Sequence, residues 1–169
     1  MNKIILIAIT ILLSSSYVSA QHYKTAGGIR LGNGVGVTIQ QVVKEKMTLE
    51  GMFFTSSESD NYHFAALLER HFNVLTRRTN IYAGGGGHLG LLKEQKTGYA
   101  NTIGISGIGG IELTVRRLNF SFDYKPVINL VKGESQSRFF GQFGLSARYV
   151  IVEREKLGER IKKRFKRKT

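Results

Sequence analysis

The chain has 169 residues, room for one domain once a targeting segment is set aside, and no cysteine, which excludes a disulfide framework or a thiolate metal centre. Twenty glycines against a single proline exclude collagen and linker compositions. The formal charge of +13 is concentrated at the end, where residues 153–169 hold nine basic and three acidic side chains; in an exported chain such charge favours anionic lipid headgroups or cell-wall carboxylates over nucleic acid.

Residues 1–20 have the design of a secretory signal: Lys3, an apolar run from Ile4 to Leu13, then Val18-Ser19-Ala20 with small residues where a signal peptidase reads. The run is too short to cross a bilayer as a helix, so it is an export signal rather than an anchor. From Tyr23 to Val152 the apolar period is two. It predicts strands over 23–32, 34–43, 46–55, 61–74, 79–91, 102–115, 117–131 and 137–151. Most are close to the roughly nine to eleven residues that a tilted strand needs to span a membrane. The cleanest stretch, from Phe139 to Tyr149, sets Phe139, Gly141, Phe143, Leu145, Ala147 and Tyr149 against Gln142, Gly144, Ser146 and Arg148.

The second, fourth and sixth connections are tight and basic: Lys44-Glu45-Lys46, Arg77-Arg78 and Arg116-Arg117. Of the others, those from Ser56, Lys93 and Lys132 are longer and carry Glu58, Asp60, Glu94 and Glu134. Outer-membrane barrels have short periplasmic turns and longer outer loops, so both ends of the chain are expected in the periplasm. The tail beyond Val152 loses the two-residue period. Leu157, Ile161 and Phe165 recur every four residues, which suits either a basic amphipathic helix on a bilayer surface or a solvated tail. Lys162, Lys163, Arg164, Lys166, Arg167 and Lys168 are its expected contacts with an anionic surface.

Alternation alone does not say which face is inside; a soluble lipocalin-like barrel also alternates. The minority face decides it. Arg30, Glu50, Glu69, His71, His88, Glu112, Asp123, Lys125 and Arg148 are interspersed with Gly36, Gly84, Gly86 and Gly144. Long charged groups alternating with glycine suit a narrow lumen, where they interdigitate, better than a soluble surface. Three positive and four negative groups nearly cancel. Arg30, Glu50, Glu69, His71, Glu112, Asp123, Lys125 and Arg148 are therefore expected to form an internal ion-pair network.

The remaining motifs carry little chemistry. Gly85-Gly86-Gly87-His88-Leu89-Gly90 fits a dinucleotide pattern in letters, but that chemistry needs a helix to follow, and Leu91-Leu92 leads to a polar loop. Glu69 and His71 share a strand face, yet hairpin pairing sets His71 opposite Tyr82 and His88 opposite Ala65, so no three-ligand metal site forms. Ser121 and Asp123 have no histidine beside them. Neither a cofactor nor an enzymatic activity is expected.

Gly28-Ile29-Arg30-Leu31-Gly32, Leu49-Glu50-Gly51, Leu68-Glu69-Arg70-His71, the run Tyr82 to Gly90 and Asp123-Tyr124-Lys125-Pro126 resemble, in this order, the small outer-membrane β-barrel proteins common in Bacteroidota, OmpA/OmpX-like in architecture. The resemblance spans most of the chain after residue 20 and implies an eight-stranded barrel, with no common activity to carry over. One departure is the basic tail after Tyr149, where such barrels often end on an aromatic residue.

The expectation is thus an all-β protein, an eight-stranded antiparallel up-and-down transmembrane β-barrel over 21–152, with a short basic C-terminal helix or tail over 153–169. Its expected location is the cell outer membrane and its expected partners are membrane lipids. A structural or surface-interaction role leads; a narrow pore, a lipid-modifying enzyme and a soluble binding barrel are the alternatives.

Overall fold

The computed structural model describes residues 23–56, 61–74, 76–94, 98–131 and 137–153. The segments assigned to export and to the basic tail lie outside the described residues, apart from Glu153. The strands are β1 (Tyr23–Gly32), β2 (Gly34–Lys44), β3 (Met47–Ser56), β4 (Tyr62–Val74), β5 (Thr76–Glu94), β6 (Gly98–Val115), β7 (Leu118–Val131) and β8 (Phe139–Glu153). Each pairs antiparallel with its chain neighbour, and β1 pairs with β8, closing an eight-stranded barrel. Closure leaves no sheet edge to recruit another chain.

Six strands fall within a few residues of their predicted bounds. β5 and β6 run further, pairing as far as Glu94↔Gly98, across a stretch predicted as the loop Lys93 to Asn101. The ladder of backbone hydrogen bonds continues there after the apolar alternation has stopped, and only the alternation is visible in sequence. At the other end of β5, Arg77 and Arg78 belong to the strand rather than to a turn. The register shifts between Asn73↔Asn80 and Val74↔Thr76, which absorbs the extra residues. The remaining tight turns sit where the basic residues do. Lys46 and Arg116 take left-handed φ values of 63° and 54°, beside the closing pairs Lys44↔Met47 and Val115↔Leu118.

The polar face is the inner one. Thr38, Gln40, Glu50, Glu69, His71, Asn80, Glu112, Asn119, Asp123 and Arg148 are buried, while Ile39, Leu49, Leu68, Ile81, Ile111, Phe122 and Leu145 point outward and are exposed. A soluble ligand-binding barrel has the opposite polarity. The lumen also holds apolar groups in phase with the polar ones. Met52, Phe54, Ala65, Leu67, Tyr82 and Ile108 form one cluster, and Tyr23, Ala26 and Val150 another, packed by Val42.

Inward glycine makes this filling possible. A Cβ built on Gly144 would lie 2.0 Å from Arg30 Nη2, and one on Gly86 would lie 1.9 Å from the Ala66 carbonyl oxygen. The first glycine makes room for a guanidinium and the second for the neighbouring backbone.

Candidate functional site: the charged lumen

Three linked groups of charged and polar contacts cross the lumen. In the first, Arg30 from β1 crosses to Asp123 on β7. Its Nη1 donates to Asp123 Oδ2 at 2.7 Å and to Ser146 Oγ at 3.2 Å, and its Nη2 to Asp123 Oδ1. The Tyr82 hydroxyl donates to Asp123 Oδ2 at 3.0 Å. This is a two-pronged guanidinium–carboxylate pair, the geometry that best compensates the loss of water around both charges.

In the second, Arg148 of β8 reaches over the lumen to Glu50 of β3, donating through Nη2 to Glu50 Oε1. Its Nη1 donates to Ser121 Oγ at 2.8 Å and to Asn119 Oδ1 at 3.2 Å, and its Nε to Thr38 Oγ1 at 3.4 Å. Thr38 in turn donates to Glu50 Oε1. Both side chains of this ion pair are fully shielded from solvent.

The third group surrounds His71. Its ring lies between two carboxylates, with Nε2 at 3.5 Å from Glu69 Oε2 and Nδ1 at 3.4 Å from Glu112 Oε1. It stacks on Tyr82 at a centroid separation of 5.2 Å and contacts Thr48 Oγ1 through Nε2 at 2.8 Å. Glu69 Oε2 also accepts from Thr48 at 3.1 Å and Gln40 at 3.2 Å. Glu112 accepts from Asn80 at 2.8 Å, Tyr23 at 3.0 Å and Asn119 at 3.1 Å. Asn119 joins this group to the second, since its amide oxygen accepts from Arg148. Side chains from all eight strands are thereby linked across the lumen, and only β2, through Thr38 and Gln40, contributes none that is charged or aromatic.

Lys125 departs from the expected network. It forms no ion pair with any described residue; its ammonium sits over the Phe54 ring, 4.6 Å from the centroid. Asp123, two residues earlier on the same face, is already taken by Arg30, and the facing wall at Lys125 presents an aromatic ring rather than an acid. His63 stacks on the other partner of this contact, 5.0 Å from the Phe54 centroid.

Sequence reasoning missed a further series. Ser106 Oγ lies 2.9 Å from His88 Nδ1, His88 Nε2 lies 2.8 Å from Asn129 Oδ1, and Asn129 Nδ2 donates to the Ser137 carbonyl at 2.8 Å. It ties β5, β6 and β7 to the segment before β8. The signal that could have found it is the phase: all three residues fall on polar-face positions of successive strands. The glycine run Gly84 to Gly90 lies wholly within β5, with no helix after it. Among the described residues no group of three or more His, Cys, Asp or Glu is placed to hold a metal ion.

No protein-family model matches the chain, and no curated protein sequence does. Solved structures do match. The N-terminal β-barrel domain of Pseudomonas aeruginosa OprF superposes with a TM-score of 0.57 at 9% identity, covering 76% of this chain and all of that domain. Neisserial surface protein A (NspA) superposes with a TM-score of 0.52 at 10% identity, covering 75% of this chain and 93% of that one. At such low identity the likeness is one of fold: this chain is built as a small β-barrel similar to those two.

Proposed function

We propose that the chain is an integral outer-membrane β-barrel whose lumen is closed by its own side chains, with a structural or surface-interaction role rather than a conducting one. The observation that carries this is the polarity of the wall: an exposed apolar exterior around a buried, ion-paired interior. In water that exterior would be an apolar patch far beyond what a monomer tolerates, whereas hydrocarbon accepts it. An eight-stranded barrel is just wide enough for side chains to fill, and the buried charged and polar side chains of this one support a closed lumen. The similarity to a Neisserial surface protein supports a surface role, and the motif order noted above supports a place among Bacteroidota barrels.

Residues 1–20 would direct export; an even number of strands puts both ends of the barrel on one side, and the short basic turns there would make that side the periplasm. The tail would then meet anionic phosphates there, each basic side chain contributing up to about 1 kcal/mol near the surface. The protein is expected to sediment with outer membranes, to stay there through high-salt and carbonate washes, and to keep its tail when intact cells meet external protease. Recovery as a soluble periplasmic protein would overturn membrane insertion, and loss of the tail would overturn the orientation.

A second reading rests on Ser106, His88 and Asn129, which stand in the order of a nucleophile, a base and an orienting amide. It would make the barrel an acyl hydrolase. Labelling of the wild type, but not of Ser106→Ala, by a serine-directed fluorophosphonate would favour it; equal absence of label would dismiss it.

A further inference from the structure

Two carboxylates in the lumen are each half satisfied, and in a complementary way. Glu50 takes all its donors on Oε1, from Thr38 and Arg148, and leaves Oε2 with none. Glu69 takes all its donors on Oε2, from Gln40 and Thr48, with His71 nearby, and leaves Oε1 with none. Both side chains are completely buried. They sit on adjacent strands, two pairs apart in the ladder and therefore on the same face: Glu50 faces Leu67 and Glu69 faces Thr48. The register sets the two side chains diagonally from one another on the inner face of neighbouring strands, the placement from which side chains of this length can meet.

A bare carboxylate oxygen in a dry interior is costly, and two of them side by side repel as well as lack donors. The surrounding charges do not resolve this. From β1, Arg30 is engaged by Asp123, and Tyr23 donates to Gln40 and Glu112. β2 contributes only the uncharged Thr38 and Gln40. From β4, His71 faces the already loaded Oε2 of Glu69 and, across the lumen, Glu112 of β6. From β5, Tyr82 gives its hydroxyl proton to Asp123 of β7. Lys125, also on β7, lies over Phe54. Arg148 of β8 binds Glu50 through Oε1. No described donor is directed at the two bare oxygens.

We propose that Glu50 and Glu69 bind one proton between them, as a buried acid–carboxylate pair, so that the lumen contains a specific proton-binding site. A single proton placed between Glu50 Oε2 and Glu69 Oε1 gives each bare oxygen a partner and removes one of two adjacent negative charges, the arrangement by which like-charged dyads persist at short range. The site also makes the barrel sensitive to alkali. The folded chain holds a proton that the unfolded chain releases once the pH is above the ordinary glutamate range. Stability therefore falls as pH rises, with the folded-to-unfolded ratio dropping by up to tenfold per pH unit for this one proton.

Infrared spectroscopy of the folded wild type in lipid vesicles at neutral pH, with and without isotopically labelled glutamate, tests this directly. A carbonyl stretch of a protonated glutamic acid, shifted by the label, is the expected result. Its absence, with only carboxylate bands, would overturn the proposal and leave a water or cation between two ionised groups. Glu69→Gln supplies an amide N–H in place of the proton and keeps an oxygen for Gln40 and Thr48, so the barrel is expected to fold and to lose the band. It should also lose the corresponding part of the alkaline slope in an unfolding titration. A band that survives unchanged in Glu69→Gln would place the proton elsewhere and overturn the assignment.

Discussion

Arg148→Ala is expected to destabilise the barrel by about 3–5 kcal/mol, because it strands the Glu50 carboxylate in a site closed to water. The guanidinium also serves Ser121, Asn119 and Thr38, so its loss leaves polar groups of β2, β3 and β7 short of partners at once. Unfolding in urea from lipid vesicles measures the cost, and planar-bilayer recording should show a small conductance where the plug is thinned. The double replacement Arg148→Met with Glu50→Leu should be much milder than the single one, since it removes both charges and keeps apolar volume. Equal stability of Arg148→Ala and the wild type, with no change in conductance, would mean that this pair does not close the lumen.

Leu145→Arg is the second large effect, expected to cost about 2–4 kcal/mol. Leu145 lies at the middle of β8 and points outward, opposite Phe122 on β7 and Leu31 on β1. A guanidinium there would sit near the centre of the bilayer. Leu130, also outward but at the far end of β7, provides the control: Leu130→Arg should cost only about 0–1 kcal/mol, since its charge reaches the interface. The two leucines are 56% and 66% exposed, so a barrel bathed in water would tolerate both substitutions alike. A depth-dependent cost is therefore a property of lipid, not of packing.

How much of this was legible beforehand follows from the range of each signal. Along β7, Phe120, Phe122 and Tyr124 alternate with Ser121, Asp123 and Lys125, and that local pattern sufficed to place strand, face and neighbour. The inward assignment came from composition, charge mixed with glycine, and the space beside Gly144 shows why: Arg30 lies where a side chain would be. The partner of Arg30 was out of reach. Arg30 and Asp123 are 93 residues apart and meet only because closure brings β1 and β7 to face one another through the lumen. The same closure leaves Lys125 over Phe54 instead of beside an acid. Met52, Leu67 and Ile108 were hidden because an apolar residue on the polar face looks like noise in the alternation, although its phase assigns it inward. The far ends of β5 and β6 escaped for the reason given above, a ladder that outlasts its apolar pattern.

The central claim is that the apolar exterior faces lipid. The chain has no cysteine, so single cysteines can be introduced and spin-labelled without background. Ile103, Ile105, Ile111 and Leu113 are outward positions of β6 whose labels would leave the lumen undisturbed. In membranes from expressing cells, these labels should relax through collisions with oxygen, which concentrates in hydrocarbon, and be shielded from a water-soluble nickel chelate, most strongly at Ile105 and Ile111. Free access of the chelate to all four positions would contradict the account, because it would put water where the fold requires lipid.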